Sequence, residues 1–393
     1  MRIAVIEPLP VGGLLHYSTQ LADALAARGN DVDLILAREN ELADRQGPAR
    51  RLELLPPDPP PAPGDASPLQ RRLRRARTAA RFTETWLRIA REIRRSDHDA
   101  VLLGGSFDLA LTAAGGLLAT HVRRDLPIAH VCHNVRPFDR WGGESLYISS
   151  KPTLALLRRL YPSFELILVH GERSLREYEQ TWPAPRRLAV IPHGNEELFG
   201  DEPPAPSAQA RILFFGAWRK MKGLPVLMEA FDALAERLPE ARLTIAGPPV
   251  PEEGESERVL AWASERRERV EIVAEYVPIE RVRELFAQAR VVVLPYRTVN
   301  QSGVAHLAMT MARAVVASNV GDLPEIVADG QTGLLVAPGD SPALTDALAR
   351  VLADPALAER LGQAGSQRMR ESAGWPDVAE RLEDELRVVV ERA

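Results

Sequence analysis

Short apolar runs alternate with amphipathic stretches along most of the chain. The runs read RIAVIEP, DVDLILA, AVLLGG, IAHVCHN, LILVHG and RLAVIPH in the first half, and RILFFG, RLTIAGPP, RVEIVAEYV, RVVVLPY, AVVASN and GLLVAPGD in the second. Two long helical stretches end the chain, and the pattern predicts further helices at 14–29, 69–96, 107–122, 223–238, 279–288 and 303–313. Apolar strands that alternate with helices are typical of parallel sheets covered on both faces. The pattern therefore predicts an α/β fold.

One segment interrupts this alternation. Residues 200–210, GDEPPAPSAQA, have the composition of a linker, and the strand–helix pattern restarts after them. A chain of 393 residues also exceeds what one hydrophobic core usually organises. We therefore predict two doubly wound parallel-sheet, Rossmann-like domains, over 1–200 and 201–374. Such sheets bind ligands at the carboxyl ends of their strands, so a cleft between the domains is the expected site.

Composition narrows the class of protein. Hydrophobic residues make up 45% and charged residues 26% of the chain, as in soluble globular proteins. The single Cys132 excludes an internal disulfide framework and a cysteine-based zinc site. No apolar run approaches the ~20 residues of a membrane span, and the N-terminal run is too short for a signal peptide, so we expect a cytoplasmic protein. The net charge of −5 argues against a general nucleic-acid binder.

The segment FFGAWRKMKG, residues 214–223, holds two of the three lysines in a chain that otherwise uses arginine. A strand ends at Gly216 and the next helix opens at Gly223, so Arg219 and Lys222 are expected beside a helix N-terminus. Free amides and the helix dipole attract anions at such a position, and lysine binds phosphate well as a point charge. We predict a diphosphate site here. The alternative is a solvated basic loop.

Two further segments follow predicted strands. In PVGGLLHYS, residues 10–18, Gly12 and Gly13 would let a phosphate or sugar approach the backbone closely. The third glycine of the dinucleotide fingerprint is missing, which disfavours an NAD site. In HVCHN, the imidazole of His133 would face the cleft and hydrogen-bond a substrate hydroxyl; the alternative is a structural histidine.

The segment 296–340 combines several turn motifs. QSGV precedes a predicted helix, so Ser302 would cap that helix while its first amides face the cleft. GDLPE follows the next strand, and DGQTG forms a turn. Ordinary turn chemistry is the alternative for each of these motifs taken alone.

Together, the order of these motifs resembles the retaining glycosyltransferases of the GT-B fold that use nucleotide-sugar donors, including bacterial mannosyl- and glucosyltransferases for glycolipids and polysaccharides. The likeness spans nearly the whole chain and is strongest from LFFGAWRKMKGL through VVASNVGDLPEIVADGQTGLLVAPGD. The resemblance implies that 1–200 binds the acceptor and 201–374 binds the nucleotide sugar. It also implies that the C-terminal helix, 375–393, crosses back to the N-terminal domain.

The resemblance assigns roles to individual residues. It implies a catalytic set in which Arg219 and Lys222 hold the donor diphosphate and His133 contacts the donor sugar near the reacting carbon. Tyr276 and Val277 lie where the family holds the base, and Glu325 is expected to be chiefly structural. The donor-binding residues that the resemblance implies are Gly12, Gly13, Gly216, Tyr276, Val277, Gln301, Ser302, Gly303, Val304 and Glu325.

The chain departs from the family at one motif. Typical members carry two glutamates with seven residues between them. One glutamate contacts the sugar and the other contacts the ribose. Here Val299 and Leu307 take those positions, and neither side chain accepts a hydrogen bond. QSGV, residues 301–304, resembles a sub-branch of the family. We infer that the side chains and amides of 301–304 take over part of the sugar and phosphate contacts.

The resemblance implies retaining, metal-independent transfer of a hexosyl group from a nucleotide-diphosphate sugar to a hydroxyl of a glycan, glycolipid or small molecule. The sequence shows no clustered carboxylates that would demand Mg²⁺, and no cofactor is expected beyond the donor as co-substrate. Stabilising the charge on the leaving diphosphate is the main task of the site. The alternative, motivated by Val299 and Leu307, is a catalytically lapsed homologue that binds or scaffolds. A nucleotide-sugar epimerase would need acid and base carboxylates in the cleft and ranks lower.

A basic helix is predicted at 71–95, which contains ten arginines. Its apolar residues recur at helical spacing and would pack on the sheet, leaving the arginines outward. One interpretation is peripheral contact with an anionic membrane on its inner face, which would suit a lipid-linked acceptor. The alternative is a solvated face in an arginine-rich protein.

Overall fold

The computed structural model describes residues 1–56, 68–104, 126–136, 151–200, 202–250 and 254–392. The helix predicted at 107–122 lies outside the described residues.

The first half forms a seven-stranded sheet within the described residues. Its strands are β1 (Arg2–Glu7), β2 (Asp31–Ala37), β3 (Arg50–Leu55), β4 (Ala100–Leu103), β5 (Ile128–Val131), β6 (Leu166–Val169) and β7 (Leu188–Val190). Their order is β3-β2-β1-β4-β5-β6-β7, and every neighbouring pair is parallel. The accompanying helices are α1 (Gly13–Ala27), α2 (Pro68–Arg95), α3 (Lys151–Leu160) and α4 (Glu172–Thr181), with 3-10 turns at Tyr161–Ser163 and Glu197–Phe199.

The second half forms a six-stranded parallel sheet in the order β10-β9-β8-β11-β12-β13. Its strands are β8 (Arg211–Phe215), β9 (Arg242–Ala246), β10 (Val270–Val273), β11 (Val291–Leu294), β12 (Ala314–Ser318) and β13 (Leu334–Val336). Its helices are α5 (Leu224–Arg237), α6 (Ser256–Ser264), α7 (Ile279–Gln288), α8 (Gly303–Thr310), α9 (Leu323–Ile326), α10 (Ser341–Ala353), α11 (Pro355–Ser372) and α12 (Trp375–Val390), with a 3-10 turn at Lys220–Lys222. The predicted pair of parallel sheets is confirmed.

Two differences from the predicted elements have simple causes. Strand β3 begins with Arg50 and Arg51 at the sheet edge, where Arg50 pairs with Asp33 of β2, so it lacks the apolar pattern of the other strands. The C-terminal region contains three helices rather than two, because Asp354 caps α11 directly before Pro355 and separates it from α10.

The sheets are buried on both faces. Along β1, Ile3 and Val5 pack into one core while Ala4 and Ile6 pack into another, as the twofold alternation of a strand requires. The first of these cores continues through the second half of the chain into α12. One continuous core therefore joins the first half of the chain to the second.

The last helix, α12, packs against α1 of the first half. Trp375 Nε1 donates to Asn195 O at 3.0 Å, and Arg28 Nε donates to Glu383 Oε2 at 2.7 Å. The domain limits at 200 and 374 stay predictions. Among the described residues, no helix is long and apolar enough to cross a bilayer.

Candidate active site

The turn after β1 leads directly into α1. Gly12 has φ 94° and precedes the helix, in the left-handed region that favours glycine. No atom lies within 4 Å of the position that a Cβ would take on Gly12 or Gly13, so open space faces this backbone. The contact of this turn with a phosphate or sugar stays a prediction.

Glu41 holds this turn in place. Its Oε1 accepts from Gly12 N at 2.5 Å and contacts His16 Nε2 at 2.6 Å, and its Oε2 accepts from the Tyr276 hydroxyl at 2.5 Å. Burial raises the pKa of the Glu41 carboxyl, but the hydrogen bonds outweigh burial and lower that pKa overall. Tyr276 belongs to the second half of the chain, so one carboxylate joins the two halves. Val277, beside it, is buried.

The basic segment lies between β8 and α5. Gly216 ends β8 with φ 119°, and no atom lies within 4 Å of a Cβ position there. Arg219 precedes the 3-10 turn that Lys222 ends, and Lys222 N donates to Arg219 O at 2.8 Å. Lys222 Nζ lies 3.8 Å from the centroid of the buried Tyr296 ring. Both cations are therefore held by one short, half-buried turn at the carboxyl end of β8.

The QSGV motif opens α8. Ser302 Oγ accepts from Ala305 N at 3.3 Å and caps the helix, and Gln301 Oε1 accepts from Ser302 N at 2.7 Å. Gly303 and Val304 are the first two residues of α8 and are only partly buried. The start of α8 thus lies beside Glu196 and His193 of the first half. Val299 and Leu307, where the resemblance implied two glutamates, are apolar side chains that pack in the core.

His133 is buried and has partners on both ring nitrogens. Its Nε2 lies 2.9 Å from Gly104 O, and its Nδ1 lies 3.0 Å from His170 Nε2. Burial lowers the pKa of His133 to about 4, so its imidazole is neutral at physiological pH. The structure therefore shows His133 as an oriented, neutral ring, and its contact with a donor sugar stays a prediction.

His133 belongs to a cluster of buried histidines that sequence reasoning missed. Ring centroids lie 4.6 Å apart for His133 and His170, 5.1 Å for His170 and His193, and 4.7 Å for His193 and His306. Burial lowers the pKa of each of these histidines. The available signal was that β5, β6 and β7 are each followed within a few residues by histidine. In the described part of the chain, no group of His, Cys, Asp or Glu side chains is arranged to hold a metal ion.

Glu196 is a second residue that the sequence did not single out. It is 4% exposed, and its Oε2 accepts from Gln20 Nε2 at 3.3 Å. Burial raises the pKa of its carboxyl to about 7. No pattern could have found it, because Glu196 and Glu197 together look like a charged surface turn.

Glu325 lies at the contact between the two halves. Its carboxylate accepts from the backbone N–H groups of Glu172 and Arg173, at 2.9 and 2.8 Å, at the start of α4. Asp322 accepts from Ser174 N at 3.0 Å and from Ser174 Oγ at 2.5 Å. The structure thus places the Glu325 carboxylate on a helix of the first half.

Comparison with known proteins agrees with this architecture. Residues 209–354 match the family described as glycosyl transferases group 1, and residues 11–196 match glycosyltransferase family 4. Alpha-maltose-1-phosphate synthase from Mycobacterium tuberculosis is 32% identical over 308 residues, which cover 71% of this chain and 77% of the synthase. The chain belongs to the glycosyltransferase family that these matches share, glycosyltransferase family 4 in its first half and glycosyl transferases group 1 in its second. The glycosyltransferase is also 32% identical to alpha-D-kanosaminyltransferase of Streptomyces kanamyceticus over 152 residues, 39% of each protein.

Two solved structures resemble the glycosyltransferase over its length. Sucrose-phosphate synthase from Thermosynechococcus elongatus has a TM-score of 0.75 at 22% identity and covers 100% of both chains. Anabaena HepE in complex with UDP and glucose has a TM-score of 0.73 at 15% identity, over 99% of this chain and 100% of HepE. The GT-B fold predicted from the sequence is confirmed.

Proposed function

We propose that this glycosyltransferase moves a hexosyl group from a nucleotide-diphosphate sugar to a hydroxyl of a glycan, glycolipid or small molecule. Transfer retains the anomeric configuration and needs no metal, and the donor is a co-substrate rather than a bound cofactor. The observation that carries this proposal is the single turn holding Arg219 and Lys222 between β8 and α5. Its two cations stand at a strand end next to the start of a helix, where a diphosphate is favoured.

The known proteins support the donor class. Anabaena HepE has been solved with UDP and with UDP-glucose. The relatives include an alpha-maltose-1-phosphate synthase and an alpha-D-kanosaminyltransferase. Open space at the Gly12 turn, and the position of Gly303 beside Glu196 and His193 of the first half, support a donor bound between the two halves.

In the proposed mechanism, most of the rate enhancement comes from stabilising the leaving group. The acceptor oxygen bonds to the anomeric carbon on the face from which the diphosphate departs, and the acceptor proton passes to a phosphate oxygen. Negative charge grows on that diphosphate as the bond to the sugar breaks. Arg219, Lys222 and the α8 amides stabilise this charge without a metal. His133 stays neutral above about pH 4 and orients the sugar rather than exchanging a proton.

Thermal-shift titration tests the donor site. UDP, GDP, ADP and dTDP, with and without their sugars, are added to the wild type and to Lys222→Ala and Arg219→Ala, with Lys220→Ala as the control on the same turn. A ligand at about 100 times its Kd stabilises a protein by about 2.7 kcal/mol. We expect one nucleotide to raise the melting temperature of the wild type and of the control but of neither test variant. If no nucleotide shifts the wild type, the donor site is not functional.

Turnover separates an active enzyme from a lapsed homologue. With the donor identified, sugar transfer to candidate glycan, lipid and small-molecule acceptors is followed by NMR of the anomeric proton, with and without EDTA. The proposal predicts product with retained configuration that is insensitive to EDTA. Nucleotide binding without turnover across all acceptor classes would favour the lapsed homologue, and an inverted product would overturn the mechanism.

We also propose that α2 brings the protein to the inner face of an anionic membrane. Leu73 and Leu87 are 52% and 43% exposed on α2, and Arg77 and Arg91 are exposed at helical spacing from them. The opposite face of the helix is buried against the first sheet. Two exposed leucines among arginines suit a lipid surface, where each arginine contributes about 1 kcal/mol near anionic headgroups.

Vesicle sedimentation tests this contact. We expect the wild type to sediment with phosphatidylglycerol vesicles at low salt and not with phosphatidylcholine vesicles. Leu73→Ser together with Leu87→Ser should weaken this binding, while Leu260→Ser, an equally exposed leucine on α6, should not. Binding that survives the double substitution would exclude α2 as the membrane contact.

A further inference from the structure

One carboxylate, that of Glu196, lies between α1 and the start of α8. Glu196 Oε2 accepts from Gln20 Nε2, on the second turn of α1, at 3.3 Å. A methyl group added at Gly303, the first residue of α8, would lie 3.4 Å from Glu196 Oε1. Glu196 therefore bridges the helix that follows the Gly12 turn and the helix that follows QSGV.

One oxygen of this carboxylate is unused. Among the described residues, Glu196 Oε1 accepts no hydrogen bond, although the side chain is 4% exposed. It does not cap α8, because Ser302 Oγ already accepts from Ala305 N. A carboxylate oxygen without a donor favours a ligand group that donates a hydrogen bond to it.

The charge of Glu196 indicates which part of a donor its carboxylate would contact. A phosphate placed beside Glu196 would meet a like charge, whereas the turn of Arg219 and Lys222 offers two cations. Sugar hydroxyls are neutral donors and would satisfy Oε1. Val299 and Leu307, at the two positions where the resemblance implied glutamates, are buried and apolar and cannot accept this bond.

We propose that Glu196 Oε1 accepts a hydrogen bond from a hydroxyl of the donor sugar and selects the sugar on that basis. This inference rests on the proposed function, because it requires the donor to lie between the starts of α1 and α8. A site that bonds a hydroxyl rejects an analogue without it strongly, because its own polar group would remain unpaired.

The burial of Glu196 predicts that the affinity for the sugar conjugate depends on pH. Burial raises the pKa of Glu196 to about 7 against the opposing effect of the nearby His16, so its carboxyl gains a proton as pH falls from 8 to 6 and becomes a poorer acceptor. His193, which lies beside the same Gly303 position, has a pKa lowered well below 6.5 by burial and stays neutral over this range. Affinity for the sugar conjugate should therefore fall over that range relative to affinity for the nucleotide alone. Glu196→Gln should abolish this difference between pH 8 and pH 6.

Paired calorimetric titrations test the proposal. The probes are UDP and UDP-glucose, GDP and GDP-mannose, ADP and ADP-glucose, and dTDP and dTDP-glucose, added to the wild type, Glu196→Gln and Glu196→Ala. The control is Glu197→Gln, because Glu197 is the exposed neighbour. We expect Glu196→Gln to bind the nucleotide within twofold of the wild type but the sugar conjugate several-fold more weakly, because a neutral amide oxygen accepts a weaker hydrogen bond than a carboxylate. The control should be unchanged.

The outcomes separate this inference from the proposed function. If no nucleotide binds the wild type, the proposed function fails and this inference fails with it. If the nucleotide binds and Lys222→Ala abolishes binding, the donor site stands. In that case, equal losses for nucleotide and conjugate in Glu196→Gln, or no loss for either, overturn the role of Glu196. Glu196→Gln keeps the side-chain shape, so the comparison holds even if Glu196→Ala does not fold.

Discussion

The hydroxyl of Tyr276 donates a hydrogen bond to Glu41 Oε2 at 2.5 Å, from one half of the chain to the other. The same carboxylate accepts from Gly12 N, so the glycine turn before α1 and the loop after β10 share one anchor. These are the two segments proposed to meet the sugar end and the base end of the donor. One side chain therefore links these two segments directly.

Tyr276→Phe removes this one hydrogen bond between the halves and leaves the bonds from Gly12 and His16 to Glu41 intact. We expect the free energy of unfolding in urea to fall by at most about 1 kcal/mol, because Tyr276 is 40% exposed and its bond competes with water. Nucleotide affinity should fall several-fold, because the loop that meets the base loses its anchor. Glu41→Ala should destabilise the protein more, since it leaves the Gly12 amide without its acceptor. Unchanged nucleotide affinity in Tyr276→Phe would show that the loop position does not depend on this bond.

Tyr296 supports Lys222 through its ring rather than its hydroxyl. Tyr296→Phe keeps the ring 3.8 Å below Lys222 Nζ and removes a buried hydroxyl that has no partner among the described residues. We expect nucleotide affinity within twofold of the wild type and a free energy of unfolding raised by about 1 kcal/mol. Tyr296→Leu removes a cation–π contact of about 0.5–2 kcal/mol, so it should weaken nucleotide binding. Equal affinities in the Phe and Leu variants would contradict this role of the ring.

The sheets were predictable because their strands are buried on both faces and therefore appear as continuous apolar runs. Strand β3 was not predictable in this way, because it begins with arginines at the sheet edge. Arg50 forms an ion pair with Asp33 there instead of packing in a core. The glycine turn at Gly12 and the turn of Arg219 and Lys222 were predictable because each is a local motif placed directly after a strand. Whether those residues bind the donor stays a prediction.

The cluster around His133 and the position of Glu196 could not be predicted, because both depend on contacts between distant parts of the chain. His193 and His306 are more than a hundred residues apart, and they meet only because α8 packs beside the turn after β7. Hydrophobic periodicity places elements but does not determine which strand ends face each other. The same limit applies to Glu325, because its carboxylate binds the start of α4, a helix of the other half of the chain.

Glu325→Ala tests whether Glu325 is structural. Its carboxylate accepts two amides at the start of α4, and losing such a cap costs about 0.5–2 kcal/mol. We expect the free energy of unfolding in urea to fall by about this amount while nucleotide Kd stays within twofold of the wild type. Glu179→Ala, an exposed glutamate on the same helix, is the control and should change neither quantity. A tenfold loss of nucleotide affinity in Glu325→Ala would show that Glu325 contacts the donor after all.

Glu7 gives the protein a pH-dependent stability that one substitution should remove. Burial raises the pKa of Glu7 from 4.5 to about 7, although Leu9 N and Ser18 Oγ donate to its carboxyl. Its contribution is therefore fully present below pH 4.5 and is lost as pH rises through about 7. The loss amounts to about 3 kcal/mol, since each unit of pKa shift is worth about 1.4 kcal/mol. We expect Glu7→Gln to be more stable relative to the wild type at pH 8 than at pH 5 in urea unfolding. The exposed Glu229→Gln should show no such difference, and a Glu7→Gln effect that is equal at both pH values would contradict the prediction.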